Sequence, residues 1–351
     1  MRLIFVTRKI HRGDPLTGFI FGWLNALAQD LDVLYVICQE KGNTSGLAQN
    51  IEVHSFGKEK GYGKFRQGFS LFALSFSLAK KSDGFFIHMH PIYAIVSWLP
   101  AKVFGKKIVL WYTHKSVDLK LRVAHALIDT VLTASKESFR LPSKKVKIVG
   151  HGIDMRKFKP SSHIPHSIFH ILSLGRISPV KDYETLIKAV EILVKDRGIK
   201  DLKVEIYGRI GLPEHQAYLD SLVGFVQNAN LDEVVDFQSE VSHEYVPQIL
   251  SEADLFVNLS QTGSIDKAVL EAAACGVVVL TSNEAFEKPL KAISPHLFFE
   301  RNNPRDLVKK ILELKNLAGE ERSKLAGELR NWVEREHNLN NLVNLIVAEF
   351  K

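Results

Sequence analysis

The sequence has few cysteines and no long apolar run. Its 351 residues include only Cys38 and Cys275, whose separation gives neither a metal-ligand spacing nor a disulfide pattern. No apolar stretch approaches the roughly 18–20 residues that a membrane-spanning helix needs. The first apolar stretch, Leu3–Val6, gives way at once to polar residues, which indicates a buried strand rather than a secretory signal. These absences favour a globular protein of a reducing cytoplasm, with both cysteines buried.

Two patterns that would point to familiar partners are also missing. The chain contains no G-x-G-x-x-G segment, which disfavours a nicotinamide-dependent enzyme, and no aromatic-rich recognition motif that would indicate nucleic acid. The charge is uneven: residues 1–160 hold 25 Lys and Arg against 11 Asp and Glu, whereas the remainder holds 21 against 28. A basic first half favours an anionic partner such as a membrane surface or a lipid-linked phosphate, and ordinary solvated surface lysine is the open alternative.

Short apolar segments alternate with amphipathic segments of helical length along the whole chain. This alternation predicts an α/β fold with two doubly wound parallel sheets, which bind ligands at the carboxyl ends of their strands. The segment Phe158–Pro165, with two prolines and two serines, predicts an interdomain linker, and the stretch 319–351 predicts continuous helix. The predicted strands are Leu3–Val6, Val33–Ile37, Ile51–Ser55, Gly84–His88, Lys107–Trp111, Thr130–Ala134, Val146–Val149, Phe169–Leu174, Lys203–Tyr207, Val234–Gln238, Leu255–Leu259 and Val277–Thr281.

Two basic residues follow the predicted strand Phe169–Leu174. Gly175 comes directly after the strand and allows a close backbone approach, and Arg176 and Lys181 lie in the same loop before the next helix. A planar guanidinium and a compact ammonium both suit phosphate oxygens. Fixed cations stabilise a diphosphate leaving group, whose negative charge grows as its bond to the sugar breaks. The loop is therefore a candidate diphosphate site, and a plain surface loop with two basic residues is the open alternative.

A small polar turn follows the predicted strand Leu255–Leu259 and opens a helix near Ser264. The free N–H groups and the positive dipole end of such a helix form a ready anion site. Glu271 lies further along this helix, where it either accepts hydrogen bonds from ribose hydroxyls or pairs with Lys267 at i,i+4. The candidate donor-binding residues of this cluster are Thr262, Gly263, Ser264, Ile265, Asp266, Lys267 and Glu271.

Together, the two clusters resemble the family 4 retaining glycosyltransferases, which belong to the glycosyl transferases group 1 and have the GT-B fold. The matching segments are Gly175-Arg176 with Lys181, Leu270-Glu271-Ala272 with Cys275-Gly276, Val131–Phe139 and Val149–Asp154. The resemblance implies two Rossmann-like domains facing across a cleft, an acceptor-side domain at 1–160 and a nucleotide-sugar-binding domain at 161–334. It also implies a C-terminal helix near 335–351 that packs back on the first domain.

The same resemblance implies a retaining hexosyltransferase that uses a UDP- or GDP-linked sugar as its substrate and needs neither a metal nor a cofactor. Arg176 and Lys181 would hold the donor diphosphate, and Glu271 the ribose. The expected partners are a nucleotide-sugar donor and a hydroxyl acceptor, and the basic first half favours a lipid-linked or envelope-polysaccharide acceptor. We expect a cytoplasmic protein with no nucleic-acid partner, and peripheral contact with the inner face of a membrane stays open.

One position departs from the family pattern. The family has two glutamates separated by seven residues, which places the first at position 263, where this chain has Gly263. Asp266 is the nearest acid, but a residue five positions before Glu271 lies about 140° around a helix, so the two cannot share a face. Asp266 would reach the sugar only if the helix starts after it. The lost glutamate leaves open a non-catalytic sugar-nucleotide-binding homologue, and a GT-B nucleotide-sugar epimerase is the other alternative.

Three residues of the first half complete the predicted site. By the resemblance, His114 would contact the donor sugar and be catalytic together with Arg176 and Lys181. His90 and Gly18 would lie on the acceptor side of the cleft, where Gly18 would let an acceptor or a phosphate approach closely. Structural roles at a strand end or in a turn are the alternatives for all three. His90 has only His88 beside it and no third ligand in sight, so we expect no metal site.

Overall fold

A computed structural model describes residues 1–15, 17–161 and 168–351. The chain divides into two compact units. Unit 1 is formed by Met1–Asp154, Ser242–Glu244 and His337–Lys351, and unit 2 by Met155–Val241 and Tyr245–Glu336. The division thus falls after Asp154, whereas the sequence placed it at residue 160.

Unit 1 contains a seven-stranded sheet in which neighbouring strands are parallel. Its strands are β1 (Arg2–Ile10), β2 (Val33–Lys41), β3 (Ile51–Ser55), β4 (Gly84–His88), β5 (Lys107–Trp111), β6 (Thr130–Thr133) and β7 (Val146–Ile148). In space they follow the order β3-β2-β1-β4-β5-β6-β7. The strand order reverses between β1 and β4, so the loops after these two strands form the switch point where such sheets bind ligands.

The helices of unit 1 alternate with its strands. They are α1 (Phe19–Gln29), α2 (Lys64–Ala79), α3 (Pro91–Val103), α4 (Leu119–Leu127) and, from the end of the chain, α12 (Leu339–Ala348). All five residues of β4 are buried, as expected for a central strand covered on both faces. The end of the chain contacts this unit, since Glu349 accepts hydrogen bonds of 3.1 Å from both Lys107 and Thr130.

Unit 2 repeats this plan with five parallel strands in the order β10-β9-β8-β11-β12. They are β8 (Phe169–Leu174), β9 (Leu202–Tyr207), β10 (Val235–Gln238), β11 (Leu255–Asn258) and β12 (Val278–Thr281). Its helices are α5 (Tyr183–Glu191), α6 (Gln216–Asn228), α7 (Val246–Ser251), α8 (Lys267–Ala274), α9 (Glu284–Ile293), α10 (Pro304–Lys315) and α11 (Gly319–His337). Here the strand order reverses between β8 and β11, which makes the loops after these strands the switch point of unit 2.

Several predicted boundaries are wrong. The C-terminal stretch is two helices, because Asn338 interrupts it and caps α12 by accepting a hydrogen bond from the backbone N–H of Asn340. Strand β1 continues to Ile10 through the polar residues Thr7–Lys9, because its ladder with β2 depends on backbone groups. The predicted linker Phe158–Pro165 lies partly outside the described residues, and Phe158 is buried in unit 2 rather than solvated.

The structure buries both cysteines, and burial raises the pKa of each thiol to about 12. Neither Cys38 nor Cys275 is therefore a thiolate nucleophile at neutral pH. Among the helices within the described ranges, none combines the length and the hydrophobicity needed to cross a membrane.

Candidate functional site

Two loops meet at the switch point of unit 2. One follows β8 and carries the basic cluster predicted from the sequence, and the other follows β11 and leads into α8. The backbone N–H of Gln261 in the second loop donates to the carbonyl of Val180 in the first, at 2.8 Å. The structure therefore brings together the two clusters that the sequence identified separately.

Lys181 and Asp266 join these loops through a buried ion pair. The Lys181 ammonium donates to the Asp266 carboxylate, and the two side chains are only 12% and 15% exposed. Asp266 Oδ2 also accepts a hydrogen bond of 3.0 Å from Asn258 Nδ2, at the end of β11. Burial alone would raise the pKa of Asp266, but Lys181 and Asn258 outweigh burial and hold that pKa below its usual range. The site thus holds one fixed ammonium and one fixed carboxylate.

Asp266 is also the N-cap of α8, and its carboxylate accepts from the backbone N–H of Ala268. The helix consequently begins at Lys267 and not near Ser264, which corrects the predicted start. This start meets the condition under which Asp266 could reach a sugar. Its carboxylate oxygens, however, already accept hydrogen bonds from Lys181, Asn258 and the helix backbone.

Two glycines allow the loops to pack this closely. A Cβ on Gly175 would lie 3.0 Å from Cε and 3.1 Å from Nζ of Lys181, so a side chain there would crowd the ammonium above it. A Cβ on Gly208, after β9, would lie 1.8 Å from the carbonyl oxygen of Gly175. The backbones at Gly175 and Gly208 therefore approach each other closely, and the Lys181 side chain fills the space over Gly175.

Arg176 behaves differently from Lys181. Its side chain is exposed, and the guanidinium has no hydrogen bond or ion pair with the part of the chain that the structure describes. The backbone beneath it is held, since the N–H of Ile177 donates to the carbonyl of Arg209 at 2.7 Å. Arg176 thus places a cation that is unpaired among the described residues on the same loop as the paired cation of Lys181.

The turn before α8 presents small polar groups. Gly263 has a φ of +62°, a backbone conformation that favours glycine. The Ser264 carbonyl accepts a hydrogen bond of 2.9 Å from Asn283 Nδ2, while the buried Ser264 hydroxyl has no partner among the described residues. Thr262 Oγ1 lies 3.1 Å from Ser260 Oγ, and Ile265 is buried. The turn fits close contact with a ligand, but position 263 supplies no carboxylate.

Glu271 lies one turn into α8, and its side chain is 5% exposed. Its Oε1 lies 3.3 Å from Nζ of Lys267. The i,i+4 pair that competed with ribose binding in the sequence therefore forms in this structure, and the ribose role stays a prediction.

In unit 1 the predicted residues divide between two loops of its switch point and a neighbouring loop. Gly18 precedes α1, and a Cβ there would lie 2.5 Å from the Asp14 carbonyl oxygen and 3.1 Å from His243 Cβ. The glycine is thus required by packing within unit 1. His90 caps α3 and packs on the Tyr93 ring at 4.9 Å, and burial, followed by the charge of Arg8, lowers its pKa to about 4. A neutral imidazole stands at the carboxyl end of β4.

His114 follows β5, one strand away from the switch point of unit 1. It is exposed, and its Nδ1 accepts a hydrogen bond of 3.1 Å from the backbone N–H of Ser116. The structure thus places His114 in a different loop from Gly18 and His90. Across the described ranges, no three His, Cys, Asp or Glu side chains are grouped so that they could hold a metal ion.

Sequence reasoning missed three polar residues at this site. Asn258 and Asn283 hold the turn before α8, and the buried Tyr183 lies with its hydroxyl 3.3 Å from the position of a Cβ on Gly175. Asn258 and Asn283 end or follow buried strands, and polar residues at the carboxyl ends of strands are the signal that could have found them. Tyr183 gives no such signal, because it reads as an ordinary core residue of α5.

The chain is similar to known glycosyltransferases in sequence and in fold. Residues 154–332, just over half of the sequence, match the family described as glycosyl transferases group 1. Over 147 residues, 40% of this chain, the sequence is 30% identical to D-inositol 3-phosphate glycosyltransferase of Paenarthrobacter aurescens. Over 172 residues, 46% of this chain, it is 24% identical to mannosylfructose-phosphate synthase of Agrobacterium fabrum. The matches span 35% and 37% of these two relatives' lengths.

A solved structure resembles the chain over its whole length. Anabaena Alr3699/HepE in complex with UDP aligns with a TM-score of 0.77 at 16% identity, covering 99% of both chains. Together with the two parallel-sheet units, this likeness confirms the predicted GT-B fold class. The family 4 subdivision and the role of each site residue stay predictions.

Proposed function

Because the chain belongs to the glycosyl transferases group 1 family, we propose that it transfers a hexose-type sugar from a nucleoside diphosphate sugar to a hydroxyl acceptor. The observation that carries this proposal is the pair of cations at the switch point of unit 2. Lys181 is fixed there beside the start of α8, and Arg176 is exposed on the same loop. Such a cluster stabilises the negative charge that develops on a departing diphosphate.

The proposed reaction retains the configuration at the anomeric carbon. The bond between this carbon and the oxygen of the β-phosphate breaks, and its electron pair leaves with the diphosphate. The acceptor oxygen forms its new bond on the same face, and its proton passes to the departing phosphate oxygen. Arg176 and Lys181 stabilise the charge on that phosphate, so no side-chain nucleophile, metal or cofactor takes part. His114 contacts the donor sugar.

The donor is proposed to be linked to UDP or GDP. Support for UDP comes from the Anabaena structure, which was solved in complex with UDP. Glu271 would take the ribose hydroxyls once it exchanges part of its contact with Lys267, which is 3.3 Å long and spans only one helical turn. The Gly263 turn would contact sugar hydroxyls through its backbone.

A panel of UDP- and GDP-sugars tests the donor assignment. Binding should raise the unfolding temperature by mass action, and the bound donor should be consumed when a hydroxyl acceptor is added. Lys181→Ala should lower kcat/KM by about 100-fold, which corresponds to about 2.7 kcal/mol of transition-state stabilisation. Lys288→Ala, at an exposed position of α9, is the control and should leave turnover unchanged.

Three other results would redirect the assignment. If no sugar nucleotide shifts the unfolding temperature, the donor site is wrong. Binding without turnover for every acceptor would favour a non-catalytic homologue, which the missing carboxylate at Gly263 motivates. Conversion of a donor in the absence of any acceptor would favour an epimerase.

The acceptor is proposed to be lipid-linked and to be met at an anionic membrane surface of the cytoplasm through α2 of unit 1. Phe65, Phe69 and Phe76 of this helix are 98%, 74% and 43% exposed, and their spacing of four and eleven residues places them on one helical face. Lys64 and Arg66 lie in its first turn, and the helix contains no acidic residue. An exposed aromatic face with basic neighbours is the composition of interfacial helices.

Flotation with lipid vesicles tests this surface. The full chain should bind vesicles of phosphatidylcholine that contain roughly 30 mol% phosphatidylglycerol more strongly than vesicles of phosphatidylcholine alone. The double change Phe65→Ser and Phe69→Ser should abolish the difference, whereas Leu119→Ser, at a 75% exposed position of α4, should not. Equal binding by wild type and the double variant would refute the surface and leave the donor assignment standing.

A further inference from the structure

We propose that Asp266 is a positioning residue, which holds the Lys181 ammonium over Gly175 at the start of α8 before a diphosphate arrives. The inference rests on the proposed function, since it assigns Lys181 to the diphosphate. It gives Asp266 a different part from the sugar contact that a helix start after Asp266 would allow.

Burying the Lys181–Asp266 ion pair costs hydration free energy. Two charges withdrawn from water lose hydration, and such a pair is tolerated only where further hydrogen bonds fill its remaining capacity. Those bonds are present: Asn258 donates to Oδ2 of Asp266 at 3.0 Å, and the backbone N–H of Ala268 donates to Oδ1. A carboxylate built in so completely has little left with which to bind a sugar.

The Lys181 side chain lies directly over Gly175. Lys181 ends a short turn, Pro179–Lys181, and Asp182 follows it with a φ of +49°. Its Cε and Nζ lie 3.0 Å and 3.1 Å from where a Cβ on Gly175 would stand. The ammonium therefore lies between the Gly175 backbone on one side and the Asp266 carboxylate on another. A fixed ammonium needs no reorganisation when charge develops on a phosphate.

Asp266 also changes the electrostatics of the site. A carboxylate at the N-terminus of α8 occupies the end of the helix that favours anions. It offsets the charge of Lys181, so the site contributes a net charge of about +1, from Arg176, rather than +2. A nucleoside diphosphate should therefore be held less tightly than two uncompensated cations would hold it. Asp266 would thus fix the geometry of Lys181 and also ease release of the diphosphate product.

A double-mutant cycle on the full chain tests the inference, with UDP and GDP as calorimetric probes. Lys181→Ala should lower the affinity of the bound diphosphate by roughly 30-fold or more, because it removes a cation and leaves the carboxylate unpaired. Adding Asp266→Asn to Lys181→Ala should raise the affinity for the diphosphate at least roughly fivefold, because the unpaired carboxylate charge disappears. Asparagine is as good an N-cap as aspartate, so α8 should persist.

The single variant Asp266→Asn gives a measurement that would not change if Asp266 had a merely structural role. It should bind the diphosphate at least as tightly as wild type while kcat falls roughly tenfold, because Lys181 is no longer held in place. The exposed pair Glu287 and Lys291 on α9 supplies the matched control. Adding Glu287→Gln to Lys291→Ala should not raise the affinity for the diphosphate. A double variant no better than Lys181→Ala, or an unchanged kcat in Asp266→Asn, would overturn the inference.

The proposed function and this inference fail in different ways. If wild type binds neither UDP nor GDP, the donor assignment fails. The pairing is then read from thermal unfolding, where Lys181→Ala should lower the midpoint and the added Asp266→Asn should recover part of the loss. Recovery without diphosphate binding would support the ion pair but would show that it has no role in binding a diphosphate. A lack of recovery would overturn the pairing itself.

Discussion

The two units use one plan but hold their switch points by different forces. In unit 2 the loops after β8 and β11 are joined by the Lys181–Asp266 ion pair and a backbone hydrogen bond. In unit 1 the corresponding region is joined by rings, with Phe19 and Trp23 of α1 packed at 5.9 Å and 5.7 Å from the His88 ring at the end of β4. Charges and directional bonds preset a site for a charged group, whereas ring contacts shape a site without presetting its charge.

Tolerance of extra volume should separate the two switch points most strongly. A Cβ on Gly208 of unit 2 would stand 1.8 Å from a backbone oxygen, whereas one on Gly18 of unit 1 would stand 2.5 Å from another. We expect Gly208→Ala to cost about 3 kcal/mol or more of unfolding free energy, and Gly18→Ala about 1–3 kcal/mol. Denaturant unfolding of both variants measures the difference.

Helical glycines provide the controls for this experiment. Gly224 in α6 and Gly22 in α1 have no atom within 4 Å of an added Cβ. Alanine at either position should stabilise its unit by about 0.5–1 kcal/mol. If Gly208→Ala is tolerated as well as Gly18→Ala, the loops of unit 2 are not held more tightly than those of unit 1, and the comparison fails.

The second contrast concerns the ligand that each site is proposed to bind. Arg176→Ala removes the exposed cation of unit 2 and should lower kcat/KM by about 100-fold, together with a loss of nucleoside diphosphate affinity. His90→Ala in unit 1 should leave diphosphate affinity within about twofold and raise the KM for the acceptor. Calorimetry with UDP and GDP, beside steady-state kinetics, separates the two effects. Loss of diphosphate binding in His90→Ala would break the assignment of unit 1 to the acceptor.

Much of this architecture follows from local patterns. The predicted strands Gly84–His88 and Lys107–Trp111 match β4 and β5 residue for residue, because short buried strands bounded by polar turns give a clear signal. The predicted strand β1 is too short, since Arg8 and Lys9 look like a loop but continue the strand, in which Lys9 pairs with Glu40 of β2 through the backbone. The break at Asn338 was missed, although asparagine is a common N-cap.

The site was predictable in its parts but not in its connections. The sequence identifies Gly175, Arg176 and Lys181, because a loop that follows a strand and carries two cations predicts a diphosphate site. The Lys181–Asp266 pair joins residues 85 positions apart, and no local rule specifies such a pairing. The start of α8 was misplaced for the same reason: Asp266 caps the helix while Lys181 and Asn258 hold its carboxylate.

A third test asks whether one charge pair that lies away from the switch point of unit 1 is structural. The Glu349 side chain is 8% exposed and pairs with Lys107 and Lys147. Burial would raise its pKa, but hydrogen bonds from Lys147, Lys107 and Thr130 outweigh burial and keep that pKa below 4.5. We expect Glu349→Gln to cost about 1–3 kcal/mol of unfolding free energy at pH 7.

The pH dependence of this cost has a definite sign. A carboxyl whose folded pKa is depressed stabilises the fold above its unfolded pKa, and the contribution disappears as the pH falls through the folded value. The difference between wild type and Glu349→Gln should therefore shrink below about pH 4.5. Glu287→Gln, an exposed control in unit 2, should show almost no cost. A difference that stays constant from pH 7 to pH 3.5 would contradict a role for the Glu349 charge.

The smallest expected effect comes from the neutral imidazole of unit 1. The pKa of His90 is lowered from 6.5 to about 4 by burial, followed by the charge of Arg8. The unfolded chain therefore binds more protons at this residue between these two pH values, so the native state loses stability as the pH falls from 6.5 toward 4. The glutamine of His90→Gln cannot be protonated. The unfolding midpoint of this variant, taken relative to that of wild type, should therefore be roughly 1–3 °C higher at pH 5 than at pH 7.5. Thermal unfolding at the two pH values measures this gain, and an identical difference between the two proteins at both would show that His90 is solvated like an ordinary surface histidine. The contrast between the fixed ion pair of unit 2 and the neutral histidine of unit 1 would then lose its main support.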